Sequence, residues 1–195
     1  MMNRMRQINI DTGQSEMKHI FLTGERRSGK TTIINKIISR QPKKNLIKGF
    51  RTYKRANHIP DHDCVLLESV NGSTTDDTGN TVELNTHIIR SYDKKRSDVR
   101  LYPKVFNTVG VGLLSNNANT DLIIIDEIGF LEADAKLFQN TVIRLLDGNI
   151  PVLGAIRLES NPFLDRVREH PKVEIIKVTP ENREELVDLI ERRLS

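Results

Sequence analysis

The run Gly24-Glu25-Arg26-Arg27-Ser28-Gly29-Lys30-Thr31 has the residue types and spacing of a phosphate-binding loop. Glycines at its first and sixth positions let the backbone curl until successive N–H groups face one anion. Lys30 brings a positive charge to the β- and γ-phosphates, where charge develops in phosphoryl transfer, and the Thr31 hydroxyl can bind Mg²⁺. Gly24, Glu25, Arg26, Arg27, Ser28, Gly29, Lys30, Thr31 and Thr32 are therefore expected to cradle the oligophosphate. Arg26 and Arg27, inside the loop, either lean over the phosphates or point to solvent.

A second set of residues bears on whether water is activated. Asp126 is expected to end an apolar strand, so its carboxylate emerges at the carboxyl edge of a sheet, where α/β proteins bind ligands. From there it can complete the metal shell opposite Thr31. Glu127 follows and can orient a water in line with the γ-phosphate or take its proton. Arg157 ends the next strand and is the leading candidate to stabilise charge on the transferring group. Lys30, Glu127 and Arg157 are thus the expected catalytic residues, with Thr31 and Asp126 holding the metal. Glu132 either orients the loop of Glu127 or forms a local salt bridge.

The elements that must hold these groups follow from periodicity. Residues 19–23 read as a strand leading into the loop, and residues 29–40 continue out of it as a helix whose positive end faces the anion. Gln41-Pro42-Lys43-Lys44 breaks that helix, and residues 46–50 read as a second strand. The continuous apolar run Asp121 to Asp126 is the signature of a strand covered on both faces. A helix over 133–147 follows, then a strand over 151–156. Asn161 can cap a helix that begins at Pro162. A strand over 173–178 comes next, and Thr179-Pro180-Glu181 opens a terminal helix with Leu186, Leu189, Ile190 and Leu194 on one side. Strands alternating with helices indicate an α/β fold with a mainly parallel sheet.

Residues 51–103 break the alternation. Extended stretches at 64–70 and 82–90 flank a turn-rich, acidic segment at 71–80, and helical periodicity is absent. This middle part reads as a β-rich, insertion-like antiparallel excursion. Residues 1–17 are polar and read as a flexible leader, leaving 18–195 as one domain.

The chain has 195 residues, enough for one domain with a substantial core but short of two. No apolar run approaches the roughly 20 residues that cross a bilayer. No secretory h-region opens the chain, and a single cysteine, Cys64, excludes an internal disulfide and a multi-cysteine zinc site. A cytoplasmic location is the expectation, with Cys64 a packing or surface residue. A net charge of +4 permits nucleic-acid contact without indicating it. The basic runs Lys43-Lys44, Lys54-Arg55 and Lys94-Lys95-Arg96 read as solvated faces.

Asp126-Glu127-Ile128-Gly129-Phe130-Leu131-Glu132 closely resembles the signature of the cancer-related nucleoside-triphosphatases, small P-loop enzymes also described as nucleotide-kinase-related. The likeness includes the phosphate loop, Gly49-Phe50-Arg51-Thr52, Val109-Gly110-Val111, Pro151-Val152-Leu153 and Asn161-Pro162-Phe163. It resumes in Val178-Thr179-Pro180-Glu181-Asn182-Arg183-Glu184-Glu185-Leu186. The resemblance implies a three-layer P-loop sandwich with a RecA-like sheet and a central phosphate-loop strand. It also implies Mg²⁺-dependent hydrolysis of ATP, GTP and other nucleoside triphosphates to diphosphate and phosphate. By motif match Lys30 and Thr31 take the phosphate and metal roles, Asp126 the metal role and Glu127 the water-activating role. The chain departs from the family at Ile156-Arg157, where the usual pair is His-Arg. The long helix that precedes the Asp-Glu strand is here expected to shrink to residues 113–119.

Two other classes compete with a hydrolase. One is a kinase acting on a nucleotide or another small molecule, which usually carries an Arg-rich lid not found after Asp126. The other is a nucleotide-gated regulatory module, to which Asp76-Asp77 and the basic runs could supply contacts.

Overall fold

The structure is a computed structural model that describes residues 19–41, 46–71, 74–75, 81–82, 87–115 and 117–194. The leader expected over 1–17 and most of the turn-rich segment at 71–80 lie outside these residues. In chain order the elements are β1 (His19–Thr23), α1 (Lys30–Arg40), β2 (Ile47–Ile59) and β3 (His62–Ser69). The short strands β4 (Thr74–Thr75) and β5 (Thr81–Val82) follow, then β6 (His87–Asp93) and β7 (Asp98–Leu101). A helical run comes next, made of α2 (Pro103–Val105), a π turn (Phe106–Gly110) and α3 (Val111–Leu114). The chain closes with β8 (Leu122–Ile128), α4 (Lys136–Asp147), β9 (Val152–Ile156), α5 (Pro162–Arg168), β10 (Val173–Lys177) and α6 (Arg183–Leu194).

Eight strands form one sheet in the order β10-β1-β9-β8-β2-β3-β6-β7. The first five pair in parallel, and β2–β3, β3–β6 and β6–β7 pair antiparallel. The parallel sheet and the antiparallel excursion are therefore one continuous surface. One strand, β9, separates the phosphate-loop strand β1 from the acid-bearing strand β8. The expected central position of β1 is not observed: only β10 lies outside it.

Alternation along the strands explains the three layers. In β1, Ile20 and Leu22 join a core with Ile33, Ile34 and Ile37 of α1 and Val187 and Ile190 of α6. Phe21, between them, faces the other side and joins Phe50, Phe106, Ile123, Ile125, Phe138, Val142, Phe163 and Leu164. Phe138 is the hub of that second core, with ring centroids 5.2 Å from Phe106, 5.7 Å from Phe50 and 6.5 Å from Phe163. Each such fully buried side chain contributes about 1.5–3 kcal/mol relative to exposure.

Several boundaries differ from the sequence reading for identifiable reasons. The second strand, expected over 46–50, continues to Ile59, because beyond Phe50 it leaves β8 and pairs with β3 instead. The excursion has a further strand, β7, beside β6. The helix expected to shrink to residues 113–119 lies upstream, over Pro103–Leu114, with Pro103 at its start as a fixed-φ residue permits. The helix expected from Ala133 begins at Lys136. Residues before it are spent on a turn in which the Gln139 amide donates to the carbonyls of Glu132 (2.7 Å) and Ala133 (2.8 Å). Asn107, in the π turn, caps α4 from outside by accepting from Phe138 N at 3.1 Å.

Other details agree with the sequence. Asn161 Oδ1 accepts from Phe163 N (3.0 Å) and Leu164 N (2.9 Å), the capping arrangement expected before Pro162. Cys64 is a buried packing residue. Among the described residues no helix is long and apolar enough to cross a membrane.

Candidate active site

The phosphate loop takes its shape from residues at positive φ: Gly24 at 141°, Arg27 at 67° and Gly29 at 108°. A Cβ on Gly24 would sit 2.5 Å from the Val178 carbonyl oxygen, so the close passage of the chain after β10 requires glycine there. Ser28 N donates to Glu25 O at 3.1 Å and closes the turn. Lys30 is buried, and its ammonium donates to the carbonyls of Gly24 (2.9 Å) and Glu25 (3.0 Å). The charge is thereby held at the mouth of the loop.

Thr31 Oγ1 donates to Asp126 Oδ1 at 3.2 Å, joining the start of α1 to β8. Thr52 Oγ1, from β2, donates to the Asp126 carbonyl at 3.1 Å. Asp126 is only 1% exposed, and its other oxygen, Oδ2, is buried with no hydrogen-bond partner among the described residues. Burial pushes its carboxyl up to about 6; the neighbouring Glu127 adds to this, while Thr31, Arg51 and Lys30 oppose it. An unpaired buried carboxylate oxygen next to a hydroxyl is the donor set a hard divalent cation takes, with phosphates and water completing the shell.

Asp126 does not end its strand, as the sequence suggested. β8 runs on to Ile128 through a bulge between Ile125 and Ile128. Glu127 occupies the bulge at φ 72°, a region costly for a residue other than Gly, Asn or Asp. The bulge turns its side chain toward the cleft rather than along the regular pleat.

Arg157, the residue after β9, donates from Nε to Glu127 Oε1 at 2.5 Å. Its guanidinium also lies over the Phe130 ring, 5.4 Å from the centroid. Arg26, Arg27, Thr31, Asp126, Glu127 and Arg157 thus share one cleft of about 560 Å³. Thr32 is exposed and is not part of its lining.

Glu132 resolves as the organiser of the loop of Glu127: its Oε2 accepts from Gly129 N at 2.8 Å, and no ion pair to it is formed among the described residues. Burial pushes its carboxyl up to about 7, with the Gly129 amide working in the opposite direction. A folded-state value above the ordinary 4.5 means that the unfolded chain ionises first. This contribution to stability is complete below about 4.5 and declines as pH rises toward about 7, on the order of 3 kcal/mol in all. Glu132→Gln keeps a carbonyl acceptor for Gly129 but cannot ionise. Urea unfolding should find the variant more stable than the parent at pH 8 and little different at pH 5. Asp126 titrates in both proteins, so it cancels in the comparison. A difference independent of pH would contradict this account.

Sequence reasoning missed the contribution of the excursion. Thr52, Lys54, Val65 and Arg90 all line the cleft, and Lys54 belongs to a run read as a solvated face. The one available signal was Gly49-Phe50-Arg51-Thr52, whose threonine reaches Asp126.

Known proteins show the family and fold to which this chain is similar. Residues 19–191 match the family described as NTPase. Nucleoside-triphosphatase THEP1 of Aquifex aeolicus (strain VF5) is 29% identical over 185 residues, 89% of this chain and 99% of the relative. Nucleoside-triphosphatase THEP1 of Natranaerobius thermophilus is 24% identical over 176 residues, 90% of this chain and 96% of the relative. The crystal structure of THEP1 from Aquifex aeolicus superposes with a TM-score of 0.66 at 26% identity, covering 89% of this chain and 96% of that one. The solution structure of a human cancer-related nucleoside triphosphatase gives 0.65 at 22% identity over 89% and 95%, a likeness of fold. The matched span runs from the first residue of β1 into the last helix, and this chain belongs to the NTPase family of P-loop α/β enzymes.

Proposed function

We propose that the chain hydrolyses nucleoside triphosphates, ATP and GTP among them, to the diphosphate and phosphate. The observation that carries this reading is the Thr31–Asp126 contact with its unpaired Oδ2, immediately before Glu127. It brings the phosphate loop, a cation-binding oxygen and a candidate base into one cleft.

Gly24 to Thr31 wrap the β- and γ-phosphates with backbone N–H groups, and Lys30 leaves its loop carbonyls to neutralise them. Thr31 and Asp126 would hold Mg²⁺, which withdraws charge from the β- and γ-phosphate oxygens when bound. Arg157 uses Oε1 of Glu127 as its anchor, which leaves Oε2 to orient a water and take its proton. The water oxygen forms a bond to the γ-phosphorus while the bond from that phosphorus to the β,γ-bridging oxygen breaks. The electron pair leaves with the diphosphate, and the proton held by Glu127 passes to a product oxygen. Arg157 and Arg26 face the charge that develops on the transferring group.

Phosphate release measured over ATP, GTP, CTP and UTP, with Mg²⁺ and with chelator, tests the reading. Release without any added acceptor, dependent on the cation and only weakly dependent on the base, is expected. Release that occurs only with a phosphoryl acceptor present would replace hydrolysis by transfer.

A further inference from the structure

The cleft continues past the acid pair onto the antiparallel part of the sheet. Pairing register places Lys54 of β2 opposite Val65 of β3, and Val65 opposite Arg90 of β6. Residues paired directly across strands share a face, so Lys54, Val65 and Arg90 form one row. With strands about 4.8 Å apart, the two cationic residues stand roughly 10 Å apart at the backbone, on either side of an apolar one. Their long side chains can close on an anion of phosphate size between them.

The same three residues also line a second cavity, of about 490 Å³, with Ala56, Cys64 and Tyr92. The two cavities therefore meet over this row. The second adds Ala56, Cys64 and Tyr92 beside the charged residues Lys54, Arg55, Asp63 and Arg90.

Some of the charges here are paired and some are not. Arg157 is committed to Glu127, and Asp63, the acid of the second cavity, is paired with Lys94 at 2.8 Å. Lys54, Arg90 and Arg26 form no ion pair among the described residues. Arg90 Nε is buried without a hydrogen-bond partner, a cost that an anion would remove. Partial desolvation and then the neighbouring Arg26, Arg90 and Arg157 hold the Lys54 ammonium below the usual lysine range, against the opposing pull of Glu127. Lys54, Arg90 and Arg26, which no carboxylate pairs among the described residues, are complementary to a ligand of opposite sign.

We propose that this face binds a second phosphate-bearing ligand beside the triphosphate. It would be a phosphomonoester held by Lys54 and Arg90, with a planar organic group laid on Val65, Ala56 and Tyr92. The inference takes the triphosphate site of the preceding section as given. Occupancy would place a second anion next to Glu127 and Arg157, and so couple its binding to turnover.

Calorimetric titration tests this with AMP, GMP, CMP, UMP and inorganic phosphate, added to protein saturated with Mg²⁺ and a non-hydrolysable triphosphate analogue. One mononucleotide is expected to bind per chain without displacing the analogue, and more tightly than inorganic phosphate. Lys30→Ala should abolish binding of the analogue and retain that of the mononucleotide. Lys54→Gln and Arg90→Gln should each weaken the mononucleotide about tenfold or more, as loss of a charged hydrogen bond implies. Lys54 is exposed, so Lys54→Gln remains informative if Arg90→Gln folds poorly. Displacement by the analogue, or loss of both ligands in Lys30→Ala, would assign these cations to the triphosphate alone and overturn the proposal. Unchanged affinity in Lys54→Gln, or inorganic phosphate binding as tightly as the mononucleotides, would overturn it equally. Because binding is read without turnover, two-ligand binding in a protein that fails to hydrolyse would refute the hydrolase reading and leave this site standing.

Discussion

Replacing Glu127 by Gln lowers kcat for phosphate release about 10²–10⁴-fold, the range lost when a positioned proton acceptor is removed. Nucleotide affinity changes little, because in the proposed mechanism phosphate binding rests on the loop, Lys30 and the Thr31–Asp126 pair. The substitution is conservative in shape. The Gln carbonyl can still accept from Arg157 Nε, which lies 2.5 Å from Oε1 in the parent. Backbone strain at φ 72° is the same for both residues. What the variant lacks is a group able to take the proton of an attacking water. Single-turnover kinetics beside a nucleotide-binding titration separate the two effects. Equal losses in affinity and rate would mean that Glu127 serves binding, and an unchanged rate would remove it from the mechanism.

Gly49→Ala destabilises the whole fold. Gly49 sits in β2 at φ 114°, and a Cβ there would lie 1.9 Å from the carbonyl oxygen of Ile124. That contact is backbone in a buried central strand, so no side chain can move aside. Backbone strain of about 1–3 kcal/mol and overpacking of similar size both apply, giving roughly 3 kcal/mol or more. For a chain of this size each kcal/mol is worth about 2–4 °C, so Tm falls by roughly 6–12 °C or more. Thermal unfolding followed by circular dichroism reads the effect directly. A shift of a degree or less would show that β2 and β8 separate at no cost. The same contact sets the site, since β2 carries Thr52 to the Asp126 carbonyl three residues later.

The parts of the fold legible in the sequence are those where one physical signal dominates. The continuous apolar run at 122–125 can only be a strand buried on both faces, and the structure has it so. Asn161 followed by Pro162 encodes a capped helix start with no tertiary help. The phosphate loop is legible because its glycines, lysine and threonine are each required at one position.

Where signals were mixed, the reading failed for reasons visible in the residues. Arg51 to Ile59 carry no apolar alternation, because that half of β2 covers little core and is held by backbone pairing with β3. The helix over Pro103–Leu114 contains β-branched Val105, Thr108, Val109 and Val111 and two glycines, all poor helix formers. Its buried face is only Phe106, Gly110 and Leu114, and the glycine at the middle position leaves the apolar stripe weak. Lys54 and Arg90 are 36 positions apart in sequence, and only the register through β3 brings them into one row. The candidate site was therefore half legible: its phosphate and acid residues come from local motifs, its cationic wall from pairing.

Hydrolysis of ATP in heavy-oxygen water tests the central claim most directly. Attack of water on the γ-phosphorus, oriented by Glu127, predicts one heavy oxygen in the released phosphate and none in the diphosphate. Label in the nucleotide product, or no label in phosphate released at a normal rate, would contradict it.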